Sequence, residues 1–132
     1  MDKMSPNGNI TYTAGGTIAK GDIVKFSSGK VVTCTGDTDN AIGVALDGAA
    51  SGEIVPVAIL GAFTGTVPVK ATEAISQGAL VNPTGGAAAK GDKCVALALD
   101  AATASGDMIE CALCVPGYHL DNDTDTQPAV AG

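Results

Sequence analysis

The feature that most restricts what this chain can fold into is an internal repeat. Thr17-Ile18-Ala19-Lys20-Gly21-Asp22-Ile23-Val24 aligns with Ala74-Ile75-Ser76-Gln77-Gly78-Ala79-Leu80-Val81, the Ile, Gly and Val falling 57 residues apart. Further on, 42–55 aligns with 95–109. Both stretches read as an apolar run, Leu-Asp, small residues, Ser-Gly-acid and a second apolar run. The spacing slips by a few residues in the middle loop. Two similar halves follow, over about 15–60 and 72–115, in a pseudo-twofold relation.

The punctuation within each half is that of a β protein. Gly21-Asp22, Ser28-Gly29, Gly36-Asp37, Ser51-Gly52, Gly78, Gly85-Gly86, Gly91-Asp92 and Ser105-Gly106 recur at short intervals. Between them lie Val-, Ile- and Thr-rich runs over 22–26, 30–35, 41–46, 53–60, 64–70, 79–82, 93–99 and 108–115. No segment sustains a 3.6-residue period for three turns. The expected fold is all-β, a small compact β-barrel or sandwich-like domain of two pseudo-repeated halves with extended N- and C-terminal arms. Pro56 and Pro68 are expected on sheet edges or at bulges, because proline cannot donate to a ladder. One helical turn is expected over 72–77, and a loop over 85–89. The predicted division is an N-terminal arm over 1–14, a β domain over 15–118 and an acidic tail over 119–132, both ends mobile.

Composition bounds the function. The chain has 132 residues with 18 Gly, two Phe, two Tyr and no Trp, and it is rich in Ala. Such a core buries little area per side chain, so association with other copies is the natural remedy. The net charge is −7, and all seven bases are Lys, which excludes phosphate binding as the main activity; no nucleic-acid partner is expected. No run is long and apolar enough for a membrane span, and the N-terminal residues carry no secretory pattern. Synthesis in the cytoplasm follows, and the Asn9-Ile10-Thr11 and Asn122-Asp123-Thr124 glycosylation patterns are then empty.

Motifs with chemical content each meet a simpler explanation. Cys111-Ala112-Leu113-Cys114 has zinc-like spacing, but in a strand positions i and i+3 point to opposite faces; Cys34 and Cys94 are isolated. Buried small hydrophobes describe all four better than zinc, or than a disulfide in a reducing compartment. Gly16-x4-Gly21 and Gly86-x4-Gly91 begin like phosphate loops and lack the Lys-Ser/Thr that completes one. Asp121, Asp123 and Asp125 open like a calcium loop, but Thr126 stands at its sixth position and Gly132 at its twelfth. His119 has no accompanying nucleophile motif. Asp47 and Asp100, and Glu53 and Asp107, recur in matching loops, as a structural repeat requires. No enzyme, catalytic residue, metal or cofactor is expected.

Ala19-Lys20-Gly21-Asp22-Ile23-Val24, Ala41-Ile42-Gly43-Val44-Ala45, the segment from Ser51-Gly52-Glu53 to Leu60-Gly61, and Ile75-Ser76-Gln77-Gly78-Ala79-Leu80-Val81 together resemble the bacteriophage capsid cement (head decoration) proteins. The resemblance spans about 14–115 and rests on order and spacing. It implies a compact β protein on the outer surface of the virion capsid that binds the major capsid protein and stabilises the lattice, commonly as a homotrimer. It carries over no catalytic residues. On this reading Ile10, Thr11, Tyr12 and Thr13 are the capsid-contact candidates, an alternating segment that docks on the shell or else completes the protein's own sheet. Two other readings are another virion β module, such as a tail-tube or fibre component, and a lipoyl- or biotinyl-type carrier domain with Lys70 as the modified residue.

Overall fold

The computed structural model describes residues 8–89 and 91–114. Nine strands are present there: β1 (Asn9–Thr13), β2 (Ile23–Ser27), β3 (Lys30–Thr33), β4 (Ala41–Ala45), β5 (Ile54–Ile59), β6 (Thr66–Lys70), β7 (Leu80–Val81), β8 (Ala96–Ala98) and β9 (Met108–Leu113). They form two antiparallel sheets, ordered β1-β5-β4-β2-β3 and β6-β9-β8-β7. The fold is all-β, as the turn spacing requires, and the 72–77 segment makes a bend and a bridge at Ile75 in place of the expected helical turn. Ile75 is drawn into that bridge because it is one of the buried core residues.

The two sheets repeat one plan. β1, β2, β4 and β5 correspond to β6, β7, β8 and β9, and the sheets have the same neighbour order. The bridge Ile18↔Ala49 recurs as Ile75↔Ala102. Gly21 N–H donates to Ala45 O at 2.9 Å, and Gly78 N–H to Ala98 O at 2.8 Å. Ala14 N–H donates to Glu53 O, and Ala71 N–H to Asp107 O, both at 2.8 Å. The repeated acid of each Ser-Gly-acid turn caps its own loop: Glu53 accepts Ala50 N–H at 2.8 Å and Asp107 accepts Ala104 N–H at 3.2 Å. Gly52 and Gly106 adopt φ of 89° and 97° in these turns, a region that glycine enters without steric cost.

The first sheet curls until its edges meet. Ala14 bridges Val31 in parallel and Gly15 N–H donates to Val31 O at 2.7 Å, which brings the end of β1 onto β3. Its interior holds Ala14, Ile18, Val24, Val31, Ala45, Val55 and Val57, all buried. The start of the repeat therefore lies earlier than about residue 15. Of the arm expected over 1–14, residues 9–13 are β1, paired with β5 from Asn9↔Ala58 to Thr13↔Ile54. The physical reason is that Val55 and Val57 need a neighbouring strand to close the barrel around them. Residues 1–7 and the acidic tail, with His119, Asp121, Asp123 and Asp125, lie outside the described residues.

The prolines divide. Pro68 sits on β6, at the edge of its sheet, as expected. Pro56 does not: β5 lies between β1 and β4. It is accommodated because β4 ends at Ala45, and beyond that point Leu46 N–H donates to Pro56 O at 2.9 Å with no return bond required.

The halves meet across the outer face of the first sheet. A cross-strand row runs Ile23↔Val44↔Ala58, and these residues are 3%, 0% and 0% exposed. They share one apolar cluster with Leu60 and with Val67, Val69, Val81, Val95, Ile109 and Cys111 of the second half. Burial of a Val or Ile side chain stabilises by about 1.5–3 kcal/mol, so this seam supplies much of the cohesion between halves. The seam has polar fasteners: Lys70 N–H donates to Gly21 O at 2.9 Å, Lys93 N–H to Asp37 O at 3.0 Å, and Lys70 Nζ lies 3.5 Å from Asp22 Oδ1.

Candidate functional site

Ile10, Thr11, Tyr12 and Thr13 all fall on β1, where alternation splits them. Thr11 is exposed, and Tyr12 packs partly buried against the interior of the first sheet. Tyr12 meets Phe26 of β2 edge to face, with centroids 5.2 Å apart and planes at 82°, a geometry that favours aromatic pairs. Phe26 is 52% exposed. A protein with four aromatic residues thus places two of them together at one surface, and Phe26 is a residue that composition and spacing do not single out.

Beside Phe26 runs a cleft of about 710 Å³ between the halves, with Lys25, Asp39, Asn40, Lys93 and Cys94 among its lining residues. A register shift between Val24 and Lys25 re-aims Lys25, whose Nζ lies 3.1 Å from Asp39 Oδ2. The same oxygen accepts Gly36 N–H at 2.9 Å and Thr35 N–H at 3.0 Å. Those backbone donors first, and Lys25 after them, hold the Asp39 carboxyl below its ordinary range. Lys93 Nζ donates to Asn40 Oδ1 across the cleft. Asp92 is buried, accepts Asn82 Nδ2 at 2.9 Å and Ala89 N–H at 2.8 Å, and raises the Asp37 carboxyl through a shared hydrogen bond and its charge. These groups tie loops together; each is engaged by backbone or by a partner in a neighbouring loop.

The cysteines do not converge on one point. Cys111 is fully buried in the shared cluster, and burial pushes its thiol up to about 11; burial pushes Cys34 up to about 12. Cys94 and Cys114 are neighbours, with Sγ atoms 3.5 Å apart. The hydrogen bond from Cys94 lowers Cys114 to about 7 and raises Cys94 itself. Among the described residues no three of His, Cys, Asp or Glu are grouped to hold a metal ion. Nor is any helix there long and apolar enough to cross a membrane. Lys70, the residue that a carrier domain would modify, is within β6 opposite Met108 and paired with Asp22; it is not displayed on a hairpin tip. That placement overturns the carrier reading.

The geometry defines a class: a double-β body of two antiparallel sheets built on one repeated plan. The chain belongs to the Phage cement protein family, whose model matches residues 4–113. Its members are structural, non-enzymatic proteins of the virion head. The structure is similar to the head fiber gp8.5 N base of bacteriophage phi29, with a TM-score of 0.62 at 16% identity over 86% of this chain and 97% of that one. At that identity the likeness speaks to fold alone. No match is found among curated proteins.

Proposed function

We propose that the protein binds the outer surface of a phage head through the major capsid protein and stabilises the capsid lattice, acting as a homotrimer. Membership of the cement family gives the head as its place. The observation that carries the contact surface is Phe26, 52% exposed and braced edge-on by Tyr12 at the rim of the first sheet. An aromatic held in place by a second ring loses little side-chain freedom on docking, which makes it an efficient anchor. Ile10 and Tyr12 extend that surface along one side of β1 and Thr11 offers the other; the β1 backbone is already fixed by β5, so docking costs none of the about 1–2 kcal/mol per residue that ordering a free segment requires. The partner presents an apolar pocket ringed by groups complementary to an acidic protein.

Co-sedimentation with expanded heads tests this reading. Phe26→Glu and Thr11→Glu, each checked for a native circular-dichroism spectrum, are expected to weaken head binding by at least about 10-fold, since hot-spot truncations cost 2 kcal/mol or more. Decorated heads should resist heat or chaotrope better than bare ones. Unchanged binding by both variants would remove β1 and Phe26 from the interface. Cross-linking on particles that yields monomers alone would remove the trimer.

A further inference from the structure

The four cysteines are not equivalent, and two of them form a pair that packing does not require. Cys94 Sγ and Cys114 Sγ lie 3.5 Å apart; Cys94 is buried and Cys114 is partly exposed. The backbone brings them together at the open end of a ladder. Cys114 N–H donates to Val95 O at 2.8 Å, which carries the β8–β9 pairing one residue beyond Ala96↔Leu113. Cys94 precedes Val95, outside the regular strand, with its thiol 3.9 Å from Ala96 O.

The repeat shows what this place needs for packing. In the first half Leu60 N–H donates to Ile42 O at 2.9 Å, the counterpart of the bond from Cys114 to Val95. Ala41 and Leu60 therefore stand where the second half has Cys94 and Cys114, and both pack in the shared apolar cluster. An alanine and a leucine fill the position without sulfur. Cys34 and Cys111 supply the contrast: both are buried members of that cluster, and the polar neighbour of Cys111 Sγ is Ile109 O at 3.7 Å.

We infer that Cys94 and Cys114 are an oxidative modification site, a dithiol that closes to a disulfide on meeting a low-molecular-weight disulfide and so fastens β9 to the entry of β8. The sulfur atoms are already in contact, and about 1.5 Å of approach brings them to the S–S length of about 2.05 Å, within the reach of side-chain rotation at a strand end. Exposure sets the order of attack. Cys114 is the accessible thiol, and the hydrogen bond from Cys94 favours its thiolate, which is the nucleophilic form. The Cys114 thiolate attacks one sulfur of the small disulfide, forms a mixed disulfide and releases one small thiolate. The Cys94 sulfur then attacks the Cys114 sulfur and expels the second small thiol, which leaves with the Cys94 proton. Two electrons pass from the pair to the small disulfide, and no other reactant is needed.

The new bond closes the loop 94–114 and encloses the buried Val95, Ala96, Ala98, Ile109 and Cys111 within it. A cross-link of this kind stabilises chiefly by restricting the unfolded chain. Reducing conditions during synthesis keep the pair open, whereas a virion head released into oxidising surroundings is a place where such a bond persists. Closure of the pair does not depend on head binding, so the test needs no heads.

The full chain is reduced, freed of reductant and incubated with excess oxidised glutathione. Thiols counted after denaturation should fall from four to two, and the mass of the chain should fall by two hydrogens. Cleavage after Lys93 and Glu110 separates Cys94 from Cys111 and Cys114, so the link should join those two peptides and should persist in Cys111→Ala. The urea midpoint should rise by about 1–3 M and return to its starting value with dithiothreitol. Cys114→Ser, checked for a native circular-dichroism spectrum, should show neither the link nor the rise. Retention of four thiols overturns the inference. So does a glutathione adduct that persists on Cys114, because Cys94 then fails to resolve it, and so does a link through Cys111 or between chains. A Cys94–Cys114 bond that leaves the midpoint unchanged overturns the fastening of β9 to β8.

Discussion

Gly43→Ala places a methyl group where the first sheet has no room. A Cβ there would lie 2.0 Å from Ala58 O, 2.8 Å from Ala58 C and 2.9 Å from Val57 Cγ1. An ordinary carbon–oxygen contact is about 3.3 Å or more, so a gap of about 1.3 Å has to open. The obstacle is a backbone carbonyl in a ladder, which cannot swing away as a flexible side chain can. β4 must instead separate from β5 around Val44↔Ala58, the middle of the seam between the halves. Two ladder bonds at about 0.5–1.5 kcal/mol each, with partial unpacking of Val44 and Ala58 by about one methylene's worth, sum to about 3 kcal/mol. With a urea slope of about 1–3 kcal/mol/M, the denaturation midpoint should fall by about 1–3 M at unchanged slope. Gly52→Ala is the control: φ is 89° but nothing lies within 4 Å of its Cβ, so it should cost only about 1–2 kcal/mol of backbone strain. The second half carries Ala96 at the matching position, so the effect tests local strand approach and not a general need for glycine. A Gly43→Ala midpoint within the error of wild type, or a cost no larger than that of Gly52→Ala, would refute the reasoning.

Leu60→Ala, at the end of the buried row, is expected to cost about 2–5 kcal/mol in the same titration, because it empties space in a shared cluster. Iodoacetamide followed by peptide mass mapping should label Cys114 first, since it is the least buried thiol and is lowered to about 7, while Cys34 and Cys111 react only on unfolding. Asp39 and Asp107 both have carboxyls held low by backbone N–H groups, so their contribution is present above their unfolded values and is lost as pH falls through the lower folded ones. Thermal melts from pH 7 downward should show that acid loss, and Asp39→Asn should flatten it. Asp37 runs the other way: its raised carboxyl favours folding at low pH and loses that contribution as pH rises through the folded value, a slope that Asp37→Asn should remove.

The runs between glycine turns hold β2 to β9, because each is bounded by residues whose backbone freedom the turns use, and because Val and Ile dominate them. β1 is harder to read. The clear run of the repeat begins at Thr17 and Ala74, and upstream Asn-Ile-Thr-Tyr-Thr and Thr-Val-Pro-Val-Lys share only alternation. Carrying the 57-residue offset back to Ala14 and Ala71, Tyr12 and Val69, and Ile10 and Val67 would have placed β1 in the sheet. Pro56 misleads for a related reason: the rule that confines proline to edges concerns a missing donor, and a ladder that stops one residue earlier needs no donor there.

The surface is illegible for a deeper reason than divergence. Ile23, Val44 and Ala58 look like Leu80, Leu97 and Ala112 in sequence because both rows do the same thing to their own sheets. Whether a row is core or surface depends on what covers it, and cover is a relation between halves that no local pattern encodes. The first row shares its cluster with Val81, Ile109 and Cys111 of the second half, whose counterparts Val24, Val55 and Val57 are enclosed in the first sheet, so the first half offers no equivalent cover to the second row. Polar substitution in the second row would cost little, since surface positions tolerate it. Leu97 and Leu99 nevertheless remain apolar at 37% and 36% exposure, so the second row reads as core in sequence and stands at the surface in the fold.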